Sequence, residues 1–282
     1  GTSTDGDEDL LVTHGQLEVQ SLYVNALGEL RGGRVQGFRD RVLESGLAAS
    51  GPGSRSLGAV LFDADNDTDL DLFVANGAAA PDGRTSGTPL GQRNHFFRGD
   101  GKGGFEDASR EAGLGIGRPL ASRSVLAADL DGDGDQDLVV TSNNGPLQVL
   151  RNQLVELQPP GGTGGPFPSA AETNWLVVRL SGRGKNTRGI GAEVTVVLGD
   201  PDDVDARLFG PEPVELRRSL LAGTSYLAGN PPELFFGLGA HAEVLRIDVR
   251  WPSGATSSHG PGPVGQVVTL AEPATGQRGD AR

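Results

Sequence analysis

The 282-residue sequence has no cysteine and no methionine, and its lysines are only Lys102 and Lys185. Without cysteine there are no disulfides, zinc–thiolate centres or thiol nucleophiles. The four histidines, His14, His95, His241 and His259, form no H-E-x-x-H pair, and no G-x-S-x-G elbow occurs. The zincin and nucleophile-elbow signatures are therefore missing, which leaves no catalytic residues to name. No apolar stretch approaches the roughly 20 residues of a membrane-spanning helix. A basic stripe with interleaved aromatics is missing too, which speaks against nucleic acid as a partner.

What the chain does have is aspartate at a fixed rhythm. The stretch "DLDGDGDQDLVV" places Asp129, Asp131, Asp133, Asp135 and Asp137 on every second position and then turns apolar. Five like charges this close repel one another unless a cation or open water compensates them. Carboxylates at loop positions 1, 3, 5 and 9 with glycine at 6 form the arrangement that wraps oxygen ligands around Ca²⁺. Asp129, Asp131, Asp133 and Asp137 hold those positions, Asp135 at position 7 would offer its carbonyl, and Gly134 supplies the tight turn. A helix-loop-helix site would add a bidentate glutamate at position 12, where this chain has Val140. Leu138, Val139 and Val140 read instead as a strand, so the loop belongs to a β-hairpin.

The pattern recurs. "DADNDTDLDLFVANG" sets Asp63, Asp65, Asp67, Asp69 and Asp71 in the same register, and "TDGDEDLLVTHG" sets Asp5, Asp7 and Asp9. The position-9 aspartates lie 62 and 66 residues apart, a period that suits a four-stranded unit with an insertion. In the middle loop Thr68 stands where glycine is expected. In the first loop Gly1 and Ser3 occupy positions 1 and 3, so that site is expected to be incomplete. Between loops, "LYVNALGELRGGRVQGFRDRVLESGL" and "FFRGDGKGGFEDASREAGL" each run strand, glycine turn, Phe-x-Asp and a short helical turn, with Gly46 and Gly113 at the left-handed position after it. A third copy begins at "LQVLRNQ" and stops. About two and a half units are thus visible, whereas closed propellers need about four to eight. The chain is therefore read as part of a longer or processed protein, or as one whose open sheet edges are covered by neighbours.

Acidity is local. The chain carries 37 acidic and 24 basic residues; removing the thirteen aspartates and Glu8 of the three loops leaves 23 acids against the same 24 bases. Such a distribution points to bound cations instead of a generally acidic or disordered surface. Calcium sites of extracellular modules, with affinities of about 10⁻⁴ to 10⁻³ M, fill outside the cell and stand empty in cytosol. Export is inferred from that chemistry.

Residues 154–173 are rich in proline and glycine and read as a linker. After it, "NWLVVRL", "GAEVTVVL", "VELRRSLLAG", "ELFFGLG" and "VLRIDVRWPSG" are short strands divided by glycine turns. Leu245, Ile247, Val249 and Trp251 alternate with Arg246, Asp248 and Arg250, the period of a half-buried strand. A β-sandwich or barrel over residues 174–272 is the expected packing, followed by a polar tail at 273–282. Alternation places Trp251 in the core; a ligand site formed with Arg188 is the competing reading.

On these residues the chain resembles two known families. The aspartate loops and "F-x-D … GL" segments over residues 1–153 are similar to FG-GAP/VCBS repeats, the blades of calcium-bearing β-propellers. Asn186, Arg188, Ile190, Gly191 and Ala192, then Phe236 to Gly239 and Trp251 to Gly254, resemble the ASPIC/UnbV domain. The pairing is the layout of the cartilage acidic protein family and its bacterial relatives. The resemblance implies an all-β fold, a partial β-propeller followed by a small β-sandwich or barrel. It also implies a secreted protein of matrix or adhesion type, with no general catalytic activity.

The expectation is a secreted, calcium-binding structural or adhesion protein, not an enzyme, acting through extracellular protein or glycan partners. Ca²⁺ is structural, with two complete sites and the incomplete third. One alternative is a self-assembling subunit of an extracellular filament or surface layer, joined through open sheet edges. A third reading is a carbohydrate-active enzyme on a propeller scaffold, for which no catalytic residues can be named. Two Arg-Gly-Asp tripeptides occur, Arg98–Asp100 in a hairpin turn and Arg278–Asp280 in the tail. The sequon Asn66-Asp67-Thr68 lies inside an aspartate loop, where a metal would exclude a glycan.

Overall fold

The computed structural model describes residues 8–14, 19–26, 30–31, 34–35, 37–50, 54–78, 91–113, 116–153, 173–199 and 213–274. Asp5, Asp7, the proline- and glycine-rich stretch 154–172 and the tripeptide Arg278–Asp280 lie outside the described residues. The N-terminal half is a row of antiparallel sheets. The first contains β1 (Leu10–Val12), β2 (Ser21–Val24) and β5 (Arg39–Asp40), with the small hairpin β3 (Leu30–Arg31) and β4 (Arg34–Val35) between them. A 3₁₀ turn, Leu47–Ser50, follows.

The second sheet is a four-stranded meander of β6 (Ser56–Phe62), β7 (Asp71–Asn76), β8 (His95–Gly99) and β9 (Phe105–Asp107). The third contains β10 (Ser122–Ala128), β11 (Asp137–Ser142) and β12 (Gln148–Leu150). None of these sheets closes on itself, and the series is that of a partial propeller. The short turns before Gly46 and Gly113 each close with one helical hydrogen bond, Ser45 N–H to Arg41 O and Ala112 N–H to Ala108 O.

The middle sheet shows why blades stack. Every residue of β7 is buried, because its two faces meet different neighbours. Leu72 and Val74 join Leu22, Val24 and Phe97 on one side, while Phe73 and Ala75 join Val125, Ala127 and Val140 on the other. A strand covered on both faces reads as a continuous apolar run, which is what "LFVA" is.

The C-terminal half is a sandwich of two sheets. One has the order β16 (Glu233–Gly239), β13 (Asn174–Ser181), β20 (Gln266–Ala271), with β13 and β20 parallel. The other has β15 (Val214–Ser219), β14 (Glu193–Leu198), β17 (Glu243–Arg250) and β18 (Thr256–His259), with β19 (Gly262–Pro263) also paired to β17. Leu176, Val178 and Leu180 of the first sheet meet Val194, Val196 and Leu198 of the second in one core with Phe236 and Trp251. Trp251 is 2% exposed, and its Nε1–H donates to Ser257 Oγ at 3.0 Å, so it is a core residue with a satisfied polar edge. Asn186 grips Ile190 twice, Nδ2 donating to Ile190 O and Oδ1 accepting from Ile190 N–H. Arg188 is exposed, whereas Trp251 is buried in the core.

One detail of the expected alternation is corrected. Ile247, Val249 and Trp251 face inward, but Val244 takes the buried place expected of Leu245. The cause is an irregularity in the β14–β17 register between Val197 and Leu198, which skips Leu245 and turns it toward Gly199.

Candidate metal centre

Both complete aspartate loops cap hairpins, the first joining β6 to β7 and the second β10 to β11, with Phe62 opposite Asp71 and Ala128 opposite Asp137 in identical register. Their internal hydrogen bonds repeat as well. The position-1 carboxylate gathers loop amides: Asp63 accepts from Asp67 N–H and Thr68 N–H at 3.2 and 3.1 Å, and Asp129 accepts from Gly132 N–H and Gly134 N–H at 2.7 and 3.2 Å. The position-9 carboxylate ties the loop's start to the next strand. Asp71 accepts from Ala64 N–H and Gly99 N–H, both at 2.9 Å. Asp137 accepts from Leu130 N–H and Asn152 N–H at 3.2 and 2.7 Å. Asp9 keeps one of these bonds, from Asn25 N–H at 3.0 Å, so the first loop shares the phase of the other two.

Carboxylate oxygens converge at two places. Asp63, Asp65 and Asp71 each offer an oxygen within 4.8 Å of the others, as do Asp129, Asp131 and Asp133. The first triad is entirely buried, whereas Asp131 of the second is exposed. Asp67, Asp69, Asp135 and Asp137 fall outside the triads. Asp67 Oδ1 accepts from Asp69 N–H at 2.9 Å. Asp69 lies against the turn at Gly101, and Asp135 is fully buried in the second loop.

Buried carboxylates without compensation resist ionisation. Burial, reinforced by Asp71 and Asp67, pushes Asp65 up to about 8, and burial pushes Asp71 up to about 7. Asp63 is raised well above the usual carboxylate range by burial and then by Asp67, Asp71 and Asp65. Asp69 and Asp137 are raised by burial to a lesser degree. Two further atoms fit an ion: Asp65 Oδ1 and Asn66 Oδ1 are buried acceptors with no hydrogen-bond partner, on residues each only 2% exposed. Oxygen-only donors with orphaned lone pairs suit a hard divalent cation. In the second loop, Arg151 Nε lies 2.6 Å from Asp131 Oδ2 and its Nη2 3.4 Å from Asp133 Oδ2.

Two backbone positions carry the turns. Gly134 has φ +94°, and its counterpart Thr68 has φ +91°, a left-handed conformation that a β-branched residue strongly disfavours. The expected misfit at Thr68 is therefore present as backbone strain. Asn66 is also left-handed, at φ +57°, which its short polar side chain tolerates. Its Nδ2 donates to Gly134 O at 2.9 Å, joining the two loops. A buried, hydrogen-bonded amide cannot accept a glycan, so the sequon is structural. The Arg98–Asp100 tripeptide is likewise tied into its hairpin: Asp100 Oδ1 accepts from Lys102 N–H and Gly104 N–H, both at 2.8 Å.

Sequence reasoning missed three contributors. Asn152 Nδ2 donates to Ala64 O at 2.7 Å and links the third sheet to the first complete loop. Arg218 of β15 acts electrostatically on Asp63 and Asp69 from the sandwich side, with its guanidinium 5.7 Å from the Phe236 ring centroid. Gly239 N–H donates to Asn66 O at 2.8 Å. Asn152 left a signal, since it keeps the phase of Asn25 after a strand, and Gly239 stood out as the end of the Phe236–Gly239 motif without pointing to this contact.

No curated protein matches the chain. Residues 63–140 match the family described as FG-GAP-like repeat, beginning at the first residue of one aspartate loop and ending in the strand after the next. Residues 182–277 match the family described as ASPIC and UnbV. The chain thus contains an FG-GAP-like repeat at residues 63–140 and an ASPIC and UnbV domain at residues 182–277.

Proposed function

We propose that this is an extracellular, calcium-stabilised structural or adhesion protein without catalytic activity, whose aspartate loops each hold Ca²⁺ as a structural ion. The observation that carries the reading is the pair of triads, each with its oxygens within 4.8 Å, together with the orphaned Asp65 Oδ1 and Asn66 Oδ1. Asp63, Asp65 and Asp71 would hold one ion, and Asp129, Asp131 and Asp133 the other. The ion neutralises the cluster and locks the hairpin joining two blade strands. Calcium suits flexible, many-oxygen loops better than magnesium, which demands near-octahedral geometry and keeps several waters. Carboxylates committed to a cation are poor general bases, which supports a non-enzymatic role.

The partner is an extracellular protein or glycan. A cleft of about 540 Å³ between the repeats and the sandwich, lined by Asp9, Asp129, Arg217, Arg218, Tyr226 and Asn230, offers charged, amide and aromatic groups for such recognition. The test is calcium-binding calorimetry on the parent chain and on Asp131→Ala with Asp133→Ala. Loss of one equivalent of bound calcium is expected, and an unchanged stoichiometry would reject the second site. A second reading, self-assembly, is favoured by the open sheet series. Its measure is molecular mass against concentration at near-physiological calcium, where a monomer throughout would exclude it.

A further inference from the structure

The sandwich meets the repeats at the mouths of both aspartate loops. Trp175 on β13 lies opposite Gly237 on β16, and Asn174 opposite Gly239, so one end of this sheet presents Trp175, Gly237 and Gly239 together. Gly239 N–H donates to Asn66 O at 2.8 Å. Gly237 sits so close to the first loop that a methyl group there would overlap Asp63 Oδ2 and stand 2.6 Å from Asn66 Cα. The Trp175 indole fills the space that a side chain at Gly134 would need, and it stacks on Phe235 with ring centroids 6.3 Å apart. Asn66, bonded to Gly134 O, makes the two loops one surface.

We propose that this sheet end is a receptor for the two loops in their ion-filled form, so that cation binding docks the ASPIC and UnbV sandwich onto the repeats and cation removal releases it. The proposal rests on the metal reading above and adds a partner for the Phe-Gly-Leu-Gly segment, namely the chain's own metal-loaded loops. Two observations carry it beyond proximity. First, Gly237 and Gly239 lie on the residues that shape the site: Gly237 against the ligand Asp63, and Gly239 bonded to Asn66 with its Cβ position 3.6 Å from Thr68 Cγ2. A loop that opens under charge repulsion loses the surface these glycines fit.

Second, the charges do not balance without an ion. Asp63, Asp65, Asp67, Asp69 and Asp71 share the loop, while the guanidiniums acting on the first triad are Arg218 from the sandwich and Arg98 from β8. Covering uncompensated carboxylates with a second domain is unfavourable, because burial strips them of water. A divalent cation removes most of that excess and turns a repulsive contact into a favourable one.

The chain contains two tryptophans, which supply the assay. Trp251 is sealed in the sandwich core and should resist acrylamide quenching in every folded state, whereas Trp175 is half-buried with its indole packed against the second loop at Gly134. Quenching is measured in EDTA and across a calcium titration, with calcium binding followed in parallel by calorimetry. The parent should show Trp175 open in EDTA and shielded by calcium. Gly237→Ala should leave Trp175 open even with calcium bound. It should also weaken calcium binding by about 5–150-fold, since coupled equilibria are reciprocal. Asp65→Asn perturbs the same contact from the loop side and serves if Gly237→Ala misfolds: with one repelling charge and one ligand removed, its Trp175 should respond less to calcium than the parent's, and a parent-like response would count against the docking. Calcium heats with Trp175 equally shielded in EDTA and in calcium would overturn the docking proposal while sparing the metal site. Absence of calcium heats in the parent would overturn the metal reading and this proposal with it.

Discussion

Asp65→Asn should change sign with calcium. Asp65 is 2% exposed, its Oδ1 has no partner, and neighbouring carboxylate oxygens lie within 4.8 Å. Two unit charges at that separation repel by about 3–4 kcal/mol at an effective dielectric of 20. Its elevation to about 8 means that ionising Asp65 in the folded, metal-free protein is unfavourable. An amide keeps the shape and removes the charge while retaining part of the desolvation cost. The metal-free variant should therefore gain about 1–3 kcal/mol, a rise of roughly 2–4 °C in Tm per kcal/mol. With calcium at 100 times its Kd, the parent gains about 2.7 kcal/mol per site from preferential binding to the folded state, and the variant loses that increment at the first loop. Thermal melts by circular dichroism in EDTA and in calcium measure both. A variant that melts lower than the parent in EDTA, or that keeps the full calcium increment, would refute the reasoning.

Other predictions concern the same loops. In EDTA, stability should fall as pH rises from about 4 to 8. Asp65 and Asp71, raised to about 8 and about 7, hold protons in the folded state that the unfolded chain releases near pH 4, so their stabilising protonation is lost as pH rises through those values. Calcium, which needs the ionised carboxylates, should flatten or invert that slope in the same melts. Thr68→Gly should raise stability by up to about 1 kcal/mol: it removes a left-handed β-branched residue that costs about 1–2 kcal/mol, offset by the extra flexibility of unfolded glycine. Equilibrium denaturation reads the difference. Arg151→Gln should tighten calcium binding at the second loop, because the guanidinium that holds Asp131 and Asp133 competes with the ion; calorimetry would show weaker binding if Arg151 instead organises the loop.

Local chemistry was legible in the sequence, and contacts between distant segments were not. The two-residue aspartate rhythm followed by an apolar run announced a loop and a buried strand, and both copies have that form. The Thr68 misfit was readable because glycine at position 6 answers a backbone requirement, and φ +91° shows that Thr68 meets it without glycine's freedom. Period-two alternation predicted the burial of Ile247, Val249 and Trp251. It failed at Leu245 because a register irregularity depends on the partner strand, which no local pattern reports. Position 5 suggested a ligand in both loops, yet Asp133 joins its triad and Asp67 does not, Asp71 joining the first triad instead. Gly237 and Gly239 looked like turn glycines in a motif. Their closeness to Asp63 and Asn66 depends on how the sandwich packs against the repeats, which spacing along the chain does not encode.

The central claim, that the aspartate loops are calcium sites holding the fold together, is tested most directly by the melting temperature of the chain in EDTA and across a calcium titration, with magnesium in parallel. The account predicts stabilisation that saturates with calcium and is not reproduced by magnesium at the same concentration. A melting temperature indifferent to calcium would contradict it and leave both triads without a structural ion.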